Sequence, residues 1–277
     1  MRVGLELTSR CNLACVMCGH ASMTRPRADM PWGRFTRIVD EIAQYGHVLA
    51  SLHWYGEPLL AERFLDAIDY LARSGVGLSH AFYTNATLLT PAMTDAMLAA
   101  GFLKVCAHTK KVWLGLDSMD PATYAAIRCG GDFDTTVANV EYFCRRVKLR
   151  GVAVQRMLTR LNPGEPIKPF RRFGVPVKTR CVGRHWDKSR DLTVNPFVDD
   201  RRQKCRELGG TLYIAQDGRA CGCCIDGDCE QAIGNVDDLR IVALSKLRDA
   251  QVSALAGGDY SKLPLCARCT GSEAGGR

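Results

Sequence analysis

Eight residues near the start of the chain, Cys11-Asn12-Leu13-Ala14-Cys15-Val16-Met17-Cys18, place three thiols in one short loop directly after the apolar run Val3 to Leu7. The spacing is C-x3-C-x2-C, with no fourth ligand close by. Disulfides use cysteines in pairs, and closed zinc sites take four ligands. An odd, crowded trio instead suits a four-iron cluster in which one iron keeps an open position.

Seven more cysteines lie between positions 205 and 269. Cys205, one cysteine of the stretch 221–224, Cys266 and Cys269 supply four thiolates, enough to close a second site. Four thiolates also suit zinc, but beside a first iron site a second four-iron cluster is the stronger expectation. If the stretch is a strand, Cys221 and Cys223 share one side and Cys224 takes the other, so Cys221 could take the place of Cys223 as a ligand. Cys106, Cys129, Cys144 and Cys181 stand singly and are expected to be buried small apolar residues.

Alternating strands and helices must position these thiols. Strands are expected at Val3–Thr8, Val48–Trp54, Leu78–Tyr83, Val112–Leu116, Val152–Leu158 and Val175–Thr179. Helical spacing of apolar residues marks Trp32–Tyr45 and Glu62–Arg73, the second stopped by Ser74-Gly75. Pro91–Ala100, Pro121–Ile127, Thr135–Val147 and a short Pro166–Phe173 follow. The alternation predicts an α/β fold with a parallel sheet and outer helices, an open, partial (β/α)6 barrel rather than a closed eightfold one. Beyond residue 190 the pattern stops. Thr211–Ile214 and Arg219–Cys224 flank the turn signal Asp217-Gly218 as a β-hairpin, and Arg240–Leu255 is helical. Two domains are expected, 1–190 and 191–277.

In such sheets chemistry gathers beyond the carboxyl ends of the strands. Tyr55-Gly56-Glu57-Pro58, Thr84-Asn85 and Asp117-Ser118 follow strands two, three and four. Singly each reads as a turn or a helix cap; together at successive strand ends they read as one site. Gln155, on strand five, faces the same space if the alternation holds.

With its cysteine triad, the chain resembles the radical S-adenosylmethionine (SAM) enzymes. The resemblance implies that Cys11, Cys15 and Cys18 hold a [4Fe-4S] cluster whose open iron binds SAM, with reducing electrons from a flavodoxin- or ferredoxin-like donor. It makes Gly56-Glu57-Pro58 the motif that contacts the SAM amino group, and assigns Thr84, Asn85, Asp117 and Ser118 to the ribose and methionine ends. Met17 stands where many relatives carry an aromatic residue. The second field resembles the short "twitch" extension of this family, related to the longer SPASM form. That likeness implies Cys205, Cys223, Cys266 and Cys269 as ligands of an auxiliary [4Fe-4S] cluster, with Gly222 where relatives often have proline.

Two reaction classes of this size match the layout: aminoglycoside epimerases of the neomycin C type and 2-deoxy-scyllo-inosamine dehydrogenases. Surplus thiols beside the second cluster favour the epimerase, with Cys224 as hydrogen-atom donor and Cys229 second. The expected substrate is a small-molecule carbohydrate of aminoglycoside type, and a polycation would need acids such as Glu6, Asp187 or Asp226 around it. Peptide- or RNA-modifying radical chemistry is the alternative of another class. The formal charge of +8 reads as solvated helix and loop surface, concentrated in 145–206, and a nucleic-acid partner is not expected. No apolar run approaches a membrane span, and only ten residues precede Cys11, so the cytoplasm is the expected compartment and no membrane partner is expected.

Overall fold

The computed structural model describes residues 1–109, 111–181, 210–254 and 263–268. Nine strands are described: β1 (Arg2–Leu5), β2 (Val48–Ser51), β3 (Ala81–Thr84), β4 (Lys111–Gly115), β5 (Val152–Leu158), β6 (Val177–Cys181), β7 (Leu212–Ile214), β8 (Arg219–Cys221) and β9 (Ala232–Asn235). The helices are α1 (Trp32–Gln44), α2 (Phe64–Ser74), α3 (Pro91–Ala99), α4 (Phe102–Val105), α5 (Pro121–Ile127), α6 (Phe133–Arg146), α7 (Ile241–Ala254) and α8 (Pro264–Arg268). No helix among the described residues is long and apolar enough to cross a membrane.

The strands form two sheets in the orders β2-β1-β7-β8-β9 and β3-β4-β5-β6. A single parallel bridge, Leu49 to Leu78, joins β2 to the segment entering β3, so the six parallel strands follow one another in chain order. Their outer face and the amphipathic helices share one core. Val3, Leu5, Phe82, Val112, Leu114 and Val154 of the sheet meet Phe35, Ile38 and Ile42 of α1 and Phe143 of α6, all essentially without exposed surface. The helix starts follow their caps: Thr90, Asp120 and Asp132 accept the backbone N–H three residues on and open α3, α5 and α6.

Most element ends shift by a few residues from the sequence expectation, and two of the differences have plain physical reasons. β6 starts at Val177 rather than Val175, because Pro176 has no N–H to donate; its carbonyl accepts from Val154 N. The expected hairpin has a third strand, β9, whose Ala232-Ile233-Gly234-Asn235 is too short and glycine-broken to signal a strand. The hairpin itself pairs through β7 in parallel with β1. The expected division near residue 190 lies outside the described residues.

Candidate functional site

The cysteine loop leaves β1 and is pinned from several sides. Arg10 grips Asp29 through two bonds, 2.9 and 2.6 Å, and Ala14 N and Val16 N donate to the carbonyls of Cys129 and Ile127. Cys11, Cys15 and Cys18 pack together with Leu13, Met17, Ile127 and Met157. Burial raises Cys15 and pushes the Cys11 and Cys18 thiols up to about 11 and about 12, a state that positive charge or iron would relieve. No three such ligands among the described residues converge on a point that one ion could fill. Three neighbouring soft thiols on one loop fit a multi-iron cluster instead.

One residue here escaped the sequence reading. Arg128, at the end of α5, donates from Nε to Asp117 Oδ2 at 2.5 Å, and its Nη1 lies 3.8 Å from Cys15 Sγ. Burial opposes its charge, yet Asp117 and the Cys15 thiolate outweigh that and raise its pKa. Gly115 makes the room: a Cβ there would stand 2.8 Å from Arg128 Nη2. Nothing local marks this arginine, since its partners are 11 and 113 positions away.

The expected strand-end residues do gather, and most of their groups bond to one another. Glu57 is buried and accepts from Thr84 Oγ1 (2.8 Å), Asn85 N (2.7 Å) and Leu59 N (3.2 Å). Asn85 Nδ2 donates to Asn12 Oδ1 at 3.0 Å and lies 3.9 Å from Cys11 Sγ, which ties the end of β3 to the cysteine loop. Gly56 presses against the backbone of Thr8 and Arg10. Asp117 also accepts from Met157 N at 2.7 Å. Ser118 is spent locally, exchanging hydrogen bonds with the backbone of Asp120. Gln155 lies on the inner face, where its buried Oε1 has no partner.

Burial pushes the Glu57 carboxyl up to about 7 from 4.5, against its three hydrogen bonds. The folded chain therefore binds more protons than the unfolded one between these values. Glu57's contribution to stability is complete below about pH 4.5 and is lost as pH rises through about 7, on the order of 3 kcal/mol. Thermal melts of the apoprotein from pH 5 to 8 should show that decline, and Glu57→Gln should flatten it.

The second cysteine field is tied to the first by a buried ion pair. Arg25 binds both oxygens of Glu6, at 2.5 and 2.7 Å, and also donates to Gln216 Oε1 and Gly227 O. Tyr55 N donates to the same carboxylate at 3.2 Å, and Tyr55 OH to Ile225 O at 3.1 Å. The Tyr55 ring thus stands between the fields. Its pKa is raised well above the usual value by burial, then by the thiols of Cys18, Cys224 and Cys223.

Within this field the expected pairing of Cys221 with Cys223 fails. β8 ends at Cys221, and the turns that follow break the two-residue alternation. Cys223 packs with Leu265 and Cys266, whereas Cys221 turns onto Cys229, Ala215 and Trp54. Its hydrogen bond with Cys229, and then burial, raise the Cys221 pKa. Cys224 is held by Trp54 Nε1, which donates to its carbonyl at 2.5 Å. Cys205, Cys269 and Asp187 lie outside the described residues. Of the single cysteines, Cys106 and Cys144 are buried as expected, while Cys129 is partly exposed; the Cys181 side chain also lies outside the described residues.

The acids expected to meet a cationic substrate are occupied. Glu6 is neutralised by Arg25, and Asp226 accepts from Glu230 N and Gln231 N at 2.8 and 2.9 Å. A surface cleft of about 380 Å³ lined by Arg37, Asp40, Glu41 and Arg240 lies away from all of these cysteines.

The sequence profile of the Radical SAM superfamily matches residues 5–162. The chain is 28% identical over 205 residues to the mycofactocin maturase MftC of Mycobacterium tuberculosis, a match covering 72% of this chain and 49% of the relative. It is 30% identical over 128 residues to an S-adenosylmethionine-dependent nucleotide dehydratase of Selenomonas ruminantium, with 46% and 42% covered. The chain thus spans about half the length of the first of these curated relatives. BtrN in complex with AdoMet and 2-DOIA superposes with a TM-score of 0.64 at 14% identity, covering 97% of this chain and 92% of that one. For anSMEcpe with bound AdoMet the TM-score is 0.69 at 15% identity, with 97% and 84% covered. At such identities the structural likeness speaks for the fold alone.

Proposed function

The chain belongs to the radical SAM superfamily, and from that premise we propose that it is an epimerase, inverting a carbon of a small carbohydrate-type substrate with Cys224 as the hydrogen-atom donor. Membership implies one [4Fe-4S] cluster and SAM, which together supply a 5'-deoxyadenosyl radical able to take a hydrogen atom from a substrate C–H bond. Cys11, Cys15 and Cys18 would hold the cluster beside the Arg128 cation. Gly56 and Glu57 would meet the SAM amino group, with Thr84, Asn85, Asp117 and Ser118 shaping the surrounding strand ends. Electrons would come from a flavodoxin- or ferredoxin-like donor.

The position of Cys224 carries the reading. The reading is supported by a Cys224 thiol near enough for its charge to raise the pKa of both Tyr55 and Tyr83. Cys229, the other expected donor, is turned onto Cys221. After abstraction, the Cys224 S–H would give its hydrogen atom to the carbon radical from the opposite face, downhill because S–H bonds are weaker than C–H bonds. One electron from the external donor and one solvent proton would restore the thiol.

The packing of Cys223 with Cys266 favours a second reading. These two, with Cys205 and Cys269, would hold an auxiliary [4Fe-4S] cluster. A substrate radical at a carbinol carbon would then lose a proton and pass its electron to that cluster, as a dehydrogenase.

Turnover of a carbohydrate panel in deuterated water separates the two. A product of unchanged elemental composition carrying one non-exchangeable deuterium is expected. Cys224→Ala should still form deoxyadenosine but no epimer, while Cys229→Ala should keep epimerising. A product two hydrogens lighter, with one deoxyadenosine each, would replace the epimerase by the dehydrogenase.

A further inference from the structure

The inner face of the parallel sheet, turned away from the helices, has a chemistry of its own. Strand register sets it out in rows: Tyr83, Trp113 and Ala153, then Gly115, Gln155 and Lys178, then Met157 and Arg180. The outward neighbours Phe82, Val112, Leu114 and Val154 belong to the helix-covered core, so the alternation leaves these rows facing inward. The His53 ring lies against Tyr83, tilted by 48° with ring centroids 4.2 Å apart, and Tyr83 lies 6.2 Å from Trp113 at 32°. Lys111 Nζ sits over the Trp113 ring at 5.4 Å. The Arg180 charge is felt at Tyr83, where it works against the rise in pKa that burial causes.

Among the described residues, the unneutralised charge assigned to this face by the register is positive. Lys111, Lys178 and Arg180 point onto it. The nearby carboxylates are already engaged: Glu6 by Arg25, Asp117 by Arg128, Glu57 by three donors and Asp226 by two turn N–H groups. Among the described residues, no ion pair joins a carboxylate to Lys178 or Arg180. Two neutral groups complete it. Gln155 Oε1 and His53 Nδ1 are buried without partners, and burial, then the neighbouring His80, holds His53 neutral by lowering its pKa to about 3.

We infer that the substrate is an anionic ring compound, with its phosphate or carboxylate on Arg180, its ring on Tyr83 and Trp113, and a hydroxyl donating to Gln155 Oε1. This rests on reading the inner face as the substrate site, and it replaces the polycation with an acid. Guanidinium is suited to both anions through paired N–H donors, and aromatic faces accept the apolar face of a ring.

The test uses four probes that share one ring: glucose 6-phosphate, glucuronate, glucose and glucosamine. Each is titrated calorimetrically into the anaerobically reconstituted protein with SAM present. At least one anionic probe should bind at least about 10-fold more tightly than glucose, as a charge-assisted hydrogen bond provides, with glucosamine weakest. Which of the two anions leads identifies the anionic group. Arg180→Gln should abolish the preference without shifting the melting temperature, and Arg180→Lys should keep part of it. Glucosamine equal to or tighter than the anionic probes, a preference that survives Arg180→Gln, or no measurable binding of either anionic probe would overturn the inference. The deuterium experiment is blind to substrate charge, so either proposal can fail while the other stands.

Discussion

Arg128→Met is expected to destabilise the protein by roughly 3–5 kcal/mol, the cost of leaving one member of a buried ion pair uncompensated. Asp117 is fully buried, and its Oδ2 loses the 2.5 Å bond from Arg128. Methionine fills much of the same volume, so urea denaturation of the variant reads mainly the stranded charge. Adding Asp117→Asn removes that charge and keeps an acceptor for Met157 N, so the double variant should recover more than half of the loss. Recovery of stability should not restore the iron site. The guanidinium beside Cys15 would offset the charge of thiolates holding a cluster there, and neither variant replaces it. Iron bound per chain should therefore stay low in both. Equal stability of the single variant and the parent would show that Arg128 holds nothing.

Gly56→Ala should be nearly as costly, at about 3–4 kcal/mol and so at the upper end of overpacking effects. A Cβ at this position would stand 2.0 Å from Thr8 O and 2.9 Å from Arg10 O. Both are backbone atoms, so no side-chain rotation relieves the overlap. Relief requires the turn after β2 to move off the cysteine loop. That movement also strains the bond from Glu57 N to Arg10 O, 2.9 Å. SAM affinity should fall with stability, because the same turn carries Glu57 towards the strand ends. Thermal melting and equilibrium dialysis of SAM on the reconstituted protein would measure the two losses. An unchanged melting temperature would mean that this close approach is not needed.

Much of this arrangement was legible locally. The cysteine loop announces itself, because three thiols at short spacing have few other uses. The strand ends were readable because Gly56-Glu57, Thr84-Asn85 and Asp117-Ser118 follow periodic apolar runs whose length sets where each strand stops. Pro121–Ile127 and Val152–Leu158 appear at the expected residues, since Asp120 caps the one and continuous apolar sequence carries the other.

What stayed hidden depends on long-range contact. Arg128 is one of many arginines in a basic chain, and only folding brings it to Asp117 and Cys15. Glu6 looked available to a substrate, yet tertiary structure sets Arg25 on both its oxygens and shares it with residues beyond position 210. Cys221 and Cys223 looked equivalent because alternation holds only while a strand continues, and β8 ends at the first of them. The sequence by itself determined the clustered thiols, the alternating α/β scaffold and the strand ends that surround them, because periodicity and residue spacing are local properties. Tertiary structure alone decided which charges are neutralised and which thiols face one another, because each depends on partners up to 210 positions apart.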